Sequence, residues 1–137
     1  MPKIDPIVVS VIDNRFSSIC NEIGQTMLRT SRSPIFSEAR DFVSAIFDHQ
    51  GQLVAQKDYI PVLSGAAPYA LKAIASHFAG KIYPGDVFVL NDPYRGNNHP
   101  PDITVAKPVF YEEKLVFWTM AKGHHADVGG GGGSGRI

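Results

Sequence analysis

"DFVSAIFDHQGQLVAQ", residues 41–56, is the stretch on which the reading of the fold turns. Val43 to Phe47 and Gln52 to Gln56 flank Asp48-His49-Gln50-Gly51, where Gly51 can take a positive φ at the loop end. The pattern predicts a β-hairpin with His49 as a solvated residue at its tip. A second hairpin is expected in "ITVAKPVFYEEKLVFWTMA", residues 103–121, with Ile103 to Phe110 and Leu115 to Ala121 as strands and Glu112-Glu113 as the turn. A further buried strand, Val87 to Leu90, follows a proline-glycine turn. Connections this short join antiparallel neighbours.

Helical periodicity surrounds these strands. From Asp5 to about Arg32 the apolar residues Val8, Val11, Ile12, Phe16, Ile19, Ile23 and Met27 recur every third or fourth position. Asp5-Pro6 reads as an N-cap followed by proline at the first helical position, and Ser33-Pro34 ends the helix. "AAPYALKAIASHFA", Ala66 to Ala79, reads as a second helix with Gly80 as its C-cap and His77 in its last turn. The expected fold class is α+β: a mostly antiparallel sheet with a long N-terminal helix and a second helix packed on it, both on one face.

Composition narrows the function. The 137 residues make one ordinary domain, and a 44% hydrophobic content can build a core. Thirteen basic and thirteen acidic residues cancel, so there is no electrostatic footprint for nucleic acid. Cys20 is the sole cysteine and falls in the apolar helical pattern, as a buried core residue would. One cysteine excludes an intrachain disulfide framework or thiolate zinc site. The sequence shows neither a signal-peptide pattern nor an apolar run long enough to span a membrane, so the expected setting is cytoplasmic.

The residues that carry chemistry gather after position 90. "NDPYRGNNHPPDI", residues 91–103, supplies Asp92, His99 and Asp102; "KGHHADVGG", residues 122–130, supplies His124, His125 and Asp127. Both stretches lie at strand ends, where side chains converge over a rigid frame. Carboxylate and imidazole together suit manganese, iron or zinc better than magnesium or calcium. Neighbouring residues on a strand point to opposite faces, so His124 and His125 should diverge. His124 and Asp127 share a face only if the chain turns after the strand. By pattern alone, a metal site and a structural polar loop remain equal readings. The glycines after Val128 contain a formal G-x-G-x-x-G at Gly130, Gly132 and Gly135, but no βαβ unit surrounds it and no P-loop is present, so any ATP must bind elsewhere or on another chain.

These motifs together resemble the N-terminal part of the hydantoinase B family. The stretches that carry the likeness are "DPIVVSVIDNRFSSICNEIGQTMLRTSRSPIFSEARDFVSAIFD", "GQLVAQ", "PGDVFVLNDPYRGNNHPPDI" and "HHADVGG", in order from Asp5 to Gly130. The family takes in the N-methylhydantoinase B subunit, the second half of oxoprolinase and the metal-bearing large subunit of acetone carboxylase. The resemblance implies a B-type subunit that works with a hydantoinase A-type, ATP-binding partner to open a cyclic amide. A ketone carboxylase subunit and a non-catalytic assembly module are the alternatives. It also implies a divalent metal, manganese or zinc. The ligands carried over are Asp92, His124 or His125, and Asp127, with His99 and Asp102 on the substrate side or just behind the ligands. His124 and His125 are the candidate bases. Family members are several times longer, so residues 1–128 read as the N-terminal portion of a hydantoinase B-like domain. Residues 129–137 read as a glycine-rich tail or truncated loop.

Overall fold

A computed structural model describes residues 5–129. The helices are α1 (Pro6–Thr30), α2 (Pro34–Ser37) and α3 (Pro61–His77), and a short 3-10 turn spans Pro93–Arg95. The strands are β1 (Phe42–Asp48), β2 (Leu53–Asp58), β3 (Phe88–Leu90), β4 (Asp102–Tyr111) and β5 (Lys114–His124). They form one antiparallel sheet in the order β2-β1-β5-β4-β3. The architecture is α+β with an antiparallel sheet, as expected from the hairpin signals.

Both hairpins form through local chemistry. In the first, Asp48 Oδ1 accepts from the backbone N–H groups of Gln50 and Gln52 at 2.9 and 2.8 Å, and Gly51 has a φ of 80°. In the second, Glu112 and Glu113 both have positive φ, 46° and 63°, between the paired residues Tyr111 and Lys114. A two-residue hairpin turn of this kind needs left-handed angles at both central residues, and glutamate adopts them at a cost.

The helices do not share one face of the sheet, and here the structure corrects the sequence reading. On β1, Ser44 donates to the Cys20 carbonyl of α1 at 2.7 Å, and Phe42 lies against Gly24 of the same helix. The alternate residues Ala45 and Phe47 instead join Ala67, Ala70, Leu71 and Ile74 of α3, with Trp118 and Met120 of β5. β1 is therefore covered on both sides, which is why FVSAIF lacks in–out alternation. The thiol of Cys20 is buried as expected, and that burial pushes its pKa up to about 11.

One element boundary and one buried face also differ from the sequence reading. α3 begins at Pro61, five residues before the predicted start, because Leu63 and Ser64 extend its buried face. Pro68 then lies inside the helix, where packing on the sheet outweighs the lost backbone bond. α1 packs from Phe16 onward: Phe16 meets Phe117 of β5 edge to face at 5.0 Å, and Cys20 and Gly24 are buried. Ile7, Val8, Val9, Val11 and Ile12 are all exposed, so the predicted core stripe is core over only part of its length. Among the described residues no helix is long and apolar enough to cross a membrane. The formal glycine fingerprint at positions 130–135, and most of the expected tail, lie outside the described residues.

Candidate metal centre

β4 begins at Asp102 and β5 ends at His124, and these residues are register partners. Cross-strand partners place their side chains on the same face, a few ångströms apart. Asp102 is fully buried, and its Oδ1 lies 2.6 Å from His124 Nδ1. Its other oxygen accepts from the backbone N–H of His99 at 2.9 Å and lies 3.3 Å from His99 Nδ1. The His99 and His124 rings meet edge to face, with centroids 5.6 Å apart. One potential ligand atom from each of His99, Asp102 and His124 lies within 4.8 Å of the others.

This donor set fits a divalent metal. Two imidazoles and one carboxylate match the preferences of zinc, manganese or iron, and a buried carboxylate facing two imidazoles is poorly explained as a solvated loop contact. Asp102 also orients His124: a hydrogen bond at Nδ1 leaves Nε2 as the ring's other coordinating or proton-accepting atom.

The neighbouring residues sit differently. Asp92 caps the 3-10 turn, with Oδ1 accepting from Tyr94 N–H at 2.9 Å and Oδ2 lying 3.4 Å from Arg95 Nε. Asp127 caps its own turn by accepting from Gly129 N–H at 2.8 Å. The group within 4.8 Å thus takes His124 from the ligand set implied by the resemblance, adds His99 and Asp102, and includes neither Asp92 nor Asp127. His125 diverges from His124, as strand alternation requires. Its ring edge packs on Phe36 at 5.1 Å, and its backbone N–H donates to the Pro101 carbonyl at 3.0 Å.

Behind the group lies a buried polar layer that the sequence reading passed over. Thr104 and Lys122 are the next paired residues on the same face, and both are fully buried. Thr104 Oγ1 donates to Asn97 Oδ1 at 2.9 Å, and Asn97 Nδ2 donates to the Asp102 carbonyl. Burial lowers the pKa of Lys122, and the nearby negative charge of Asp102 pulls it partly back. The signal was present: Trp118, Met120, Lys122 and His124 lie at a period of two, so an apolar inward face turns polar as it approaches the site.

Gly96 seats the loop that carries these residues. Its φ is 98°, and an added Cβ would fall 2.5 Å from the Tyr69 carbonyl carbon in the α3 backbone. Only glycine permits both that angle and that approach. Gly123 is similarly constrained, since a Cβ there would come within 2.4 Å of the Phe36 ring.

Comparison with known proteins gives consistent matches. A family model described as hydantoinase B/oxoprolinase matches residues 5–136. The 5-oxoprolinase PfmaA of Pestalotiopsis fici is 41% identical over 130 residues, covering 95% of this chain and 10% of that protein. Caprolactamase subunit beta of Pseudomonas jessenii is 39% identical over 130 residues, covering 95% of this chain and 22% of the subunit. The crystal structure of the ATP-dependent caprolactamase from Pseudomonas jessenii superposes with a TM-score of 0.87 at 39% identity, over 93% of this chain and 22% of that one. A nucleotide-free acetone carboxylase structure shares the fold, with a TM-score of 0.82 at 24% identity, over 90% of this chain and 16% of that one. The chain thus spans between 10% and 22% of the length of the curated relatives described.

Proposed function

This chain belongs to the hydantoinase B/oxoprolinase family, and on that premise we propose that it supplies the metal-binding part of an ATP-dependent hydrolase that opens a cyclic amide. The observation that carries this reading is the convergence of His99, Asp102 and His124 at the joined ends of β4 and β5. In this reading they hold a divalent metal, manganese or zinc. Asp92 and Asp127, on the loops next to them in the chain, supply further oxygen donors. Such an ion would polarise a carbonyl oxygen or lower the pKa of a water.

The protein's own groups do the rest. Asp102 fixes the His124 ring through the hydrogen bond at Nδ1. Buried Asn97, held by Thr104, donates to the Asp102 main-chain carbonyl and so fixes the backbone that carries that carboxylate. Of the adjacent pair, His124 faces the group as a ligand, whereas His125 is turned onto Phe36. ATP is bound by an A-type partner subunit, in keeping with the absence of a P-loop from this sequence. The relatives named 5-oxoprolinase and caprolactamase, at 39–41% identity, favour a lactam-like ring. The ketone carboxylase alternative is supported by shared fold alone.

The test is reconstitution of the chain with an A-type subunit, ATP and manganese or zinc. 5-Oxoproline, a hydantoin, caprolactam and acetone are supplied separately. Ring-opened product from one of the cyclic amides is expected. Turnover of acetone alone, to a carboxylated product, would overturn the hydrolase reading in favour of the carboxylase.

A further inference from the structure

Beneath the His–Asp–His group lies a charge that the proposed function does not use. Lys122 is completely buried, between Val43 of β1 and Thr104 of β4 in the register. A buried ammonium is costly unless paired and hydrogen-bonded. Its Nζ donates to Asn98 Oδ1, and Asn98 Nδ2 donates to the Val62 carbonyl in the first turn of α3 at 3.0 Å. The Lys122 stem therefore reaches out of the sheet to a loop residue that is itself tied to a helix.

The next residue along that loop is His99. It is the exposed member of the cluster, lies on no strand, and precedes two prolines. Its imidazole contact with Asp102, at 3.3 Å, is longer than the 2.6 Å contact of His124. His124 is placed by sheet register, whereas His99 depends on how its loop is held.

We infer that Lys122 is a positioning residue: through Asn98 it anchors the loop that carries His99, and so keeps that imidazole beside Asp102 and His124. The inference rests on the metal reading above for its effect on affinity, but not for its effect on the loop. Without the ammonium, Asn98 Oδ1 loses its donor and the Val62 tether alone remains. Support from a neighbouring shell of this kind typically changes metal affinity by about ten- to a hundredfold.

The test uses Lys122→Met, Asn98→Ala and the double variant. Amide exchange of His99 is followed in the metal-free protein, and zinc affinity and the visible spectrum of the cobalt(II)-substituted protein are measured alongside. In both single variants the His99 amide should lose protection while the Met120 amide of β5 keeps it. Zinc affinity should fall by about tenfold or more, with a changed cobalt spectrum. The double variant should be little worse than Asn98→Ala alone, because that variant already breaks the Lys122 link along with the Val62 tether. Asn98 is only partly buried, so its variant decides the matter if Lys122→Met fails to fold. If Asn98→Ala leaves His99 exchange, the cobalt spectrum and zinc affinity unchanged, the inference is wrong. If the parent chain binds neither zinc nor cobalt, the metal reading fails, while His99 exchange in the variants still decides the role of Lys122.

Discussion

Asp102 and His124 face each other as register partners at the ends of β4 and β5, with Oδ1 and Nδ1 2.6 Å apart. The pair is the pivot of the site: one partner is fully buried, the other part-buried, and His99 approaches from the loop side.

Asp102→Ala should therefore damage both stability and binding. It removes the acceptor of the part-buried His124 ring and of the His99 N–H, and each group left unsatisfied costs about 1–3 kcal/mol. Urea unfolding should show a loss of that order. Asp102→Asn should keep most of the stability and lose manganese or zinc, whereas Asp127→Asn should weaken metal binding less. Metal content after gel filtration ranks the variants. Full retention by Asp102→Asn with complete loss by Asp127→Asn would favour the ligand set implied by the family resemblance alone.

Gly96→Ala should unseat the loop before His99. The left-handed φ costs a side chain about 1–2 kcal/mol, and contact with the α3 backbone adds to this because backbone cannot move aside cheaply. A drop of roughly 2–4 kcal/mol in unfolding free energy, together with weaker metal binding, is expected. Wild-type values for both would show that the loop does not need this seat.

The β4–β5 turn offers the opposite sign. Replacing Glu112-Glu113 with Asn-Gly relieves two positive-φ glutamates and should raise stability by about 1 kcal/mol. The turn lies at the far end of the hairpin from His124, so metal affinity should not change.

Cys20 predicts a pH dependence. Its folded pKa, about 11, lies above the ordinary 9.0, so the folded state holds the proton longer than the unfolded state. The contribution is fully present below pH 9.0 and is lost as pH rises towards 11. Lys122, whose pKa is lowered, pulls the other way at alkaline pH. The comparison is therefore between the wild type and Cys20→Ala, whose stability should decline less steeply over that range. Parallel curves would rule out the buried thiol as a source of the slope.

What the sequence determined by itself was local. Asp48 with Gly51 specified one hairpin, and the apolar runs around Glu112-Glu113 specified the other. Asp5-Pro6 marked the start of α1, where the Asp5 side chain accepts from Ile7 N–H at 2.8 Å. Strand alternation also separated His124 from His125, since neighbouring side chains on a strand must point apart. These features depend on a few adjacent residues and their φ and ψ preferences. The tertiary structure decided the rest. That β1 lies beside β5 and is covered by α1 on one face and α3 on the other depends on contacts between distant segments. So does the gathering of His99, Asp102 and His124 above a buried Lys122. The family resemblance put Asp102 on the substrate side or just behind the ligands, and only its register opposite His124 took it out of water and into the group itself. Spacing along the chain carries no record of which strands will pair, and pairing is what turned two polar loops into one site.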